Sequence, residues 1–183
     1  MDFERNSILK LKPGLGLTGM KKSEWIYDMM NGALIGDALM LPKEDIIVTS
    51  EFQEGMYCYK QYEKVFHAKI RIEERLFSDE DEDTESIINN MNDITRYLSM
   101  KLYDYGKAGS KKIPIACEYK EDSYCYKRYQ EVLQAKQNLE FRLGVRSDDD
   151  LENMAEGMLN IMKHFACRIY AYGEAASKRD KSV

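Results

Sequence analysis

The sequence lacks the long apolar runs and the paired cysteines that would identify several classes of protein. No segment approaches the roughly eighteen uninterrupted apolar residues of a membrane-spanning helix. The N-terminal stretch MDFERNSILK is charged and has no apolar core, so no secretory signal is expected. The four cysteines form no CxxC pair and no cluster with the two histidines at metal-ligand spacing. We therefore predict a soluble cytoplasmic protein with reduced thiols, no metal, no cofactor and no membrane partner.

A strong charge excess is also missing. The formal net charge is −5, whereas a general nucleic-acid binder usually carries a basic excess or stripe. Nucleic acid is therefore not expected as a direct general partner. The hydrophobic content of 44% is enough to build a core, and 183 residues suit one medium domain with a small appendage. Residues encoded by AT-rich codons outnumber Gly, Ala, Arg and Pro, which indicates a low-GC bacterium or its phage.

The most informative feature is a long internal repeat. Residues Glu51–Lys111 align without a gap with Glu118–Lys178, sixty-seven positions further on. The densest match is YCYKQYEKVFHAKIRIEERL from Tyr57 against YCYKRYQEVLQAKQNLEFRL from Tyr124. Both copies then reach a Tyr-x-Tyr-Gly sequence. This pattern predicts that one helical unit has been duplicated.

Each copy is predicted to contain two helices. In the first copy, Ser50-x-x-Gln53 has the form of a capping box, so a helix of about 26 residues should run from there to about Leu76. Its inward positions recur in steps of three and four and form a heptad seam, which the second copy repeats. The seam consists of Cys58, Tyr62, Val65, Lys69, Ile72 and Leu76, and of Cys125, Tyr129, Val132, Lys136, Leu139 and Leu143. A second helix follows an acidic turn in each copy, and Gly106 and Gly173 are expected to be its C-caps.

The predicted fold is all-α: an internally duplicated helical hairpin that forms an up-down four-helix bundle. The expected domain bounds are 1–45 for an N-terminal extension and 46–179 for the bundle, with repeats at 51–112 and 118–179. In the extension, one short helix should begin at the N-cap Ser23, and just after the extension Ile46–Thr49 could extend as a strand. Because the extension is rich in glycine and unrelated to the repeat, we expect the bundle to fold without it.

Lysine in the heptad seam is unusual, because a buried charge is costly unless it is paired. Lys69 stands four residues before Glu73, and Lys136 stands four before Glu140. One interpretation is an internal ion pair that fixes the helix register. The other is a pair of sites for an anionic ligand or a partner surface. The residues of these candidate sites are Lys69, Glu73 and Arg75, and Lys136, Glu140 and Arg142.

A second set of candidate binding residues is aromatic and basic. It consists of Tyr57, Tyr59 and Lys60 in the first copy and Tyr124, Tyr126 and Lys127 in the second. Three such side chains could stack a base or bind a phosphate. They could also be residues at the edge of the core, with the ring inside and the hydroxyl in water. A third alternative is a protein–protein surface enriched in tyrosine and arginine.

Other residues offer little chemistry. Cys58 and Cys125 lie in the seam and are predicted to be small buried hydrophobic residues. The acidic turn from Asp79 to Asp83 lacks the glycine and the bidentate carboxylate of a calcium loop. We therefore predict neither catalytic nor metal-ligating residues.

The stretch GALIGDALMLPKE, which begins at Gly32, resembles the N-terminal motif of the ADP-ribosylglycohydrolases. That family consists of larger all-α enzymes with further aspartate motifs for magnesium. Those motifs do not follow in this chain, and Met40 stands where the family has glycine. ADP-ribosylglycohydrolase activity is therefore not predicted.

The helical hairpin is similar to the all-α nucleoside triphosphate pyrophosphatases, in which paired glutamates precede a Glu-x-x-Asp on the next helix. Here Glu73-Glu74 is followed by Asn89, Asn92 and Asp93. The second copy has Glu140-Phe141, then Glu156 and Asn160. Because a magnesium site needs several converging carboxylates, this resemblance implies a degenerate pyrophosphatase.

The favoured function is therefore a non-enzymatic binding or adaptor protein that acts through contacts with an unidentified protein. A phage-encoded inhibitor of a host protein is one form of this hypothesis, and homo-oligomerisation is left open. The first alternative is a small-molecule or nucleotide binder that uses the duplicated Tyr, Lys and Arg residues. The second is the degenerate pyrophosphatase.

Overall fold

The structure is a computed structural model that describes residues 21–32, 38–41, 46–109 and 119–180. Over these residues the chain is mostly helical, which confirms the all-α prediction. In chain order the elements are α1 (Lys22–Met30), β1 (Ala38–Leu41), β2 (Ile46–Thr49), α2 (Tyr57–Leu76), α3 (Glu82–Lys107), α4 (Tyr124–Leu143) and α5 (Asp149–Asp180). The GALIGDALMLPKE stretch and the connection between α3 and α4 lie largely outside the described residues.

The small sheet is a single antiparallel pair. Strand β1 pairs with β2, with Ala38 opposite Thr49 and Leu41 opposite Ile46. The β-branched run at Ile46–Thr49 therefore forms the predicted strand. Two short strands of this kind are stable only when they pack on other elements. Val48 is fully buried, so β2 is anchored in the core.

Helices α3 and α5 form the centre of the molecule. They make the most extensive contacts with each other, α2 packs along α5, and α4 packs along α3. Each of these four helices buries an apolar stripe at the spacing that the sequence predicted. The buried residues include Val65, Ala68 and Ile72 of α2, Ile94, Leu98 and Leu102 of α3, Val132, Ala135 and Leu139 of α4, and Ile161, Phe165 and Ile169 of α5.

The main lateral contacts of α2 and α4 are with a helix from the other half of the chain. The ring of Tyr57 at the start of α2 stacks on His164 in the middle of α5. At the other end, Arg75 pairs with Asp148, just before α5 begins. Helix α2 therefore runs antiparallel to α5. The sequence analysis expected the two helices of each copy to pack on each other as a hairpin, whereas the main contacts of α2 and α4 are with a helix of the other copy.

The two glycines of the Tyr-x-Tyr-Gly sequences are not C-caps. Gly106 lies inside α3 and Gly173 lies inside α5. A Cβ on Gly106 would overlap the backbone oxygen of Tyr170, and one on Gly173 would overlap that of Tyr103. These positions have no side chain because the two helix backbones touch there. The sequence alone could not distinguish this close crossing from a helix end.

Helix α2 begins at Tyr57, not at Ser50, and is 20 residues long. The hydroxyl of Ser50 accepts a hydrogen bond from the backbone N–H of Phe52 instead of capping a helix. The segment between them is fixed by Glu51, which is buried and donates its N–H to the carbonyl of Met30 at 2.7 Å. This anchoring of Glu51 to α1 explains why the helix starts later than predicted.

Helix α1 is part of the core. Its N-cap is Lys21, whose N–H donates to the Glu24 carboxylate at 3.1 Å, so the predicted cap Ser23 lies inside the helix. Helix α1 packs against α3 and α5, and Ile26 and Met30 are fully buried. This burial argues against the expectation that the bundle folds without residues 1–45. Within the described residues, no helix is both long enough and apolar enough to cross a membrane.

Candidate functional site

Lys69 is held in an internal network at the end of α2. Its ammonium lies 3.2 Å from a carboxylate oxygen of Glu73 and 2.8 Å from one of Glu85 on α3. Burial lowers the pKa of Lys69, but hydrogen bonds to these two carboxylates outweigh it and raise the pKa above its ordinary value. The charge of Lys69 is therefore already neutralised within the chain.

Glu73 joins the end of α2 to the beginning of α3. Besides Lys69, its buried carboxylate accepts hydrogen bonds from the N–H of Asp81 at 3.0 Å and the hydroxyl of Thr84 at 2.9 Å. The second copy is looser. Lys136 lies 3.6 Å from Glu140, and both side chains are more exposed than their counterparts.

Arg75 does not join Lys69 in a common site. Its guanidinium binds Asp148 through two hydrogen bonds, of 2.6 and 3.0 Å, and reaches Asp150 at 3.2 Å. The Asp148 carboxylate also accepts the N–H groups of Asp150 and Leu151, so it caps α5. The hydrogen bond from Arg75 and these backbone donors hold the pKa of Asp148 below its ordinary value.

Arg142 makes the corresponding contacts in the other half of the chain. It binds Asp81 at 2.5 Å and Asp83 at 3.0 Å, and Asp81 accepts the N–H groups that begin α3. Burial raises the pKa of Asp81, but the bonds from Arg142 and Thr84 outweigh it and bring the pKa below its ordinary value. The sequence predicted that an acidic turn precedes the second helix of each copy. It did not reveal that each is clamped by an arginine from the other copy.

The predicted tyrosine and lysine set lies at the opposite ends of α2 and α4. Tyr57 stacks on His164 with ring centroids 5.3 Å apart, and Tyr124 packs on Tyr97 at 4.9 Å. Both tyrosines are close to half exposed. The other members are half-buried (Tyr59 and Tyr126) or exposed (Lys60 and Lys127).

Behind Tyr57 lies a polar cluster that sequence reasoning missed. Glu51 is buried and binds His164 at 2.8 Å and Arg168 at 3.2 Å. Burial, with a smaller contribution from Glu51, raises the pKa of the Cys58 thiol to about 12, so this thiol is not a nucleophile near neutral pH. The sequence feature that could have revealed this cluster is a difference between the copies: His164 stands where the first copy has Tyr97.

Among the large hydrophobic side chains of the described residues, the two most exposed lie at the end of the molecule where α2 and α4 finish. Phe77 is 99% exposed and Phe141 is 84% exposed. The two lie at the same end because Asp81, four residues after Phe77, pairs with Arg142, the neighbour of Phe141. We call Phe77 and Phe141 the phenylalanine end.

Phe77 also has an unusual backbone conformation. It ends α2 in the left-handed region, with φ +55°, and Gly144 ends α4 in the same way, with φ +70°. Glycine is the residue that this conformation favours. Sequence reasoning missed the phenylalanine end, although both of its residues depart from the repeat: Phe77 aligns with Gly144, and Phe141 aligns with Glu74.

The carboxylates suggested by the pyrophosphatase resemblance do not converge. Glu73 is bonded to the start of α3, Glu74 is exposed, and Asp93 pairs with Arg128 at 3.4 Å. Across the described ranges, no three His, Cys, Asp or Glu side chains gather in a way that could hold a metal ion. A shallow, open depression beside Arg75 and Ser147–Asp150 is lined by charged and polar residues.

Comparison with known proteins assigns no relative: no family model matches the chain, and no match is found among the curated proteins or among the solved structures.

Proposed function

We propose that this protein is a non-enzymatic, cytoplasmic binding protein that acts through protein–protein contacts, and that it docks through the phenylalanine end. The observation that carries the proposal is Phe77, a large apolar side chain that is 99% exposed on a left-handed backbone. Phe141 lies at the same end of the molecule and is 84% exposed.

Folding gives no reason for phenylalanine at position 77. A side chain in the left-handed region costs about 1–2 kcal/mol relative to the right-handed helix, and Gly144 ends the equivalent helix without that cost. The ring of Phe77 also buries almost nothing in the isolated chain. Backbone strain that is kept without a folding benefit is typical of functional positions, and exposed aromatic anchors are typical of interfaces.

The proposal includes the scaffold that presents this end: an internally duplicated pair of helices, whose two copies pack against each other as a four-helix bundle. The support for duplication is that a contact between two residues has an equivalent contact between the two residues that align with them, sixty-seven positions away. Matched pairs are Arg75–Asp148 with Arg142–Asp81, Arg71–Asp150 with Asn138–Asp83, and Tyr57–His164 with Tyr124–Tyr97. The positions that make these contacts recur in both copies, although some carry different residues, whereas the phenylalanine end does not recur.

The test is site-specific photocrosslinking. The photoreactive residue p-benzoylphenylalanine is placed at position 77 of the full chain, and at position 129 as a control. Tyr129 is an aromatic residue of α4 that is 42% exposed, so the control keeps aromatic character at a partly exposed position. We expect one protein to crosslink at position 77 and not at position 129. Equal labelling at both positions would argue against a docking surface at Phe77.

A second candidate function is nucleotide or small-molecule binding at the tyrosine pairs. The observation that favours it is the packed pair Tyr124–Tyr97, over which the ammonium of Lys101 lies 5.5 Å from the Tyr97 ring. A stacked aromatic beside a cation can hold a base and a phosphate. Thermal-shift measurements with nucleotides test it, because a ligand that binds the folded state raises the melting temperature. Loss of that shift in Tyr124→Ala would support the site.

A further inference from the structure

We infer that the partner presents a basic surface with an apolar pocket, and that Phe77 inserts into this pocket. The inference rests on the proposed function and names the chemistry of the partner. Its basis is the charge that surrounds the phenylalanine end. Phe77 supplies the anchor, and the surrounding carboxylates select the kind of protein that can approach it.

The carboxylates next to Phe77 are exposed. Glu74, Asp79 and Glu80 flank it in sequence. Glu74 interacts electrostatically with Arg71, whose guanidinium is itself hydrogen-bonded to Asp150. Asp149 at the start of α5 is also exposed and lines the same end, beside Arg75. These carboxylates are available to a partner.

The basic residues of this end are mostly neutralised. Arg75 is bound to Asp148 and Asp150, and Arg142 is bound to Asp81 and Asp83, as described above. Arg146, in the loop between α4 and α5, is the exposed exception. The phenylalanine end therefore presents apolar rings within a surface of net negative charge.

This arrangement discriminates between possible occupants. A second copy docking end to end would bring like charges together, which is unfavourable at an interface. Nucleic acid and anionic lipid would be repelled for the same reason. A protein with basic residues around an apolar pocket would be attracted and would also bury Phe77.

The test uses the full chain and three synthetic helical peptides that serve as probes. One is an amphipathic peptide of leucine and lysine, one replaces lysine with glutamate, and one replaces leucine with serine. Binding is measured by fluorescence anisotropy at low and at high salt. We expect the leucine–lysine peptide to bind most tightly, and more weakly at high salt, because surface charge attraction is screened.

Two variants separate the contribution of the Phe77 ring from that of the surrounding carboxylates. Phe77→Gly should weaken binding of the leucine–lysine peptide about tenfold or more, as expected for loss of an interface anchor. The triple variant Glu74→Gln, Asp79→Asn, Glu80→Gln should weaken it as well and flatten its salt dependence. The matched control neutralises three exposed glutamates elsewhere, in the variant Glu54→Gln, Glu63→Gln, Glu121→Gln, and should leave binding unchanged.

The outcomes distinguish this inference from the proposed function. If Phe77→Gly abolishes binding while the Glu74 triple variant binds normally, or the glutamate peptide binds as well as the lysine peptide, the basic partner is wrong and protein docking stands. If Phe77→Gly leaves all binding unchanged, the proposed function fails too. Sedimentation measures the remaining alternative, because self-association that disappears in Phe77→Gly would make a second copy the occupant and overturn the inference.

Discussion

At the scale of single residues, Phe77 and Gly144 occupy equivalent positions at the ends of α2 and α4. Comparing them distinguishes what folding requires at this position from what binding requires. Both residues adopt a left-handed conformation, which glycine accepts and phenylalanine resists. The ion pairs differ from this, because Arg75 and Arg142 are matched in the two copies and both bind carboxylates of the same chain. Matched residues therefore build the scaffold, and unmatched ones are the better candidates for binding.

The two seam lysines should differ in their contribution to stability. We expect Lys69→Met to lower the free energy of unfolding by about 3 kcal/mol, because breaking a buried pair leaves Glu73 buried with fewer donors. Lys136→Met should cost less than about 1 kcal/mol, because Lys136 and Glu140 are more exposed and lie further apart. Urea denaturation of both variants measures the difference. Equal losses would show that the burial of Lys69 does not determine how much its ion pairs contribute to the free energy of unfolding.

The capped aspartates predict an acid dependence of stability. The pKa of Asp148 is lowered in the folded state, so its stabilising contribution is complete above the unfolded pKa near 3.8. It is lost as the pH falls through the lower folded pKa. Asp148→Asn keeps a capping side chain but loses the charged bond to Arg75, and should cost about 1–2 kcal/mol at neutral pH. Denaturation across an acid pH series should show the two proteins converging at low pH. A constant gap would contradict this assignment.

At the scale of the elements, the sequence predicted the four long helices well because their apolar positions recur at helical spacing. It failed at boundaries that tertiary contacts decide. Ser50-x-x-Gln53 has capping residues, yet α2 starts at Tyr57 because Glu51 is held between α1 and α5. Gly106 looked like a helix end, yet it lies where two backbones meet. Neither contact is visible from local pattern.

The helix crossing gives a direct prediction. Gly106→Ala and Gly173→Ala should each cost about 3 kcal/mol or more, the upper part of the range for overpacking, because the added methyl meets the backbone of the other helix. Gly157→Ala is the matched control within α5. There the nearest atom belongs to the Val65 side chain, and the nearest backbone atom, the Gln61 oxygen, is 3.2 Å away, so the cost should be smaller. Thermal unfolding of the three variants checks the order, and an equal effect at all three positions would argue against a backbone crossing.

At the scale of the whole molecule, α2 and α4 find their main partners across the halves of the chain, on α5 and α3. The repeat could be read from the sequence, but this exchange of partners could not, because identical stripes can pair within a copy or between copies. The phenylalanine end was missed for a related reason. A C-terminal helix residue carries no periodic signal, so Phe77 was visible only as a departure from the repeat.

The N-terminal segment should be necessary for the stability of the whole chain. A truncation that starts at Lys43 removes α1, whose Ile26 and Met30 are fully buried against the core. Losing even one such side chain costs about 2–5 kcal/mol, so the truncation should lose cooperative unfolding or melt far below the full chain. Circular dichroism on heating measures this. Unchanged cooperative unfolding would show instead that residues 46–179 form an independent domain.

The most direct test of the account is Phe77→Gly, measured for both stability and binding in the same protein. If phenylalanine is kept at position 77 for docking, the variant should be more stable by about 1 kcal/mol, because glycine relieves the left-handed strain. It should also lose affinity for the protein that crosslinks at position 77. A variant that is less stable than the natural chain and binds that protein with full affinity would contradict the central claim.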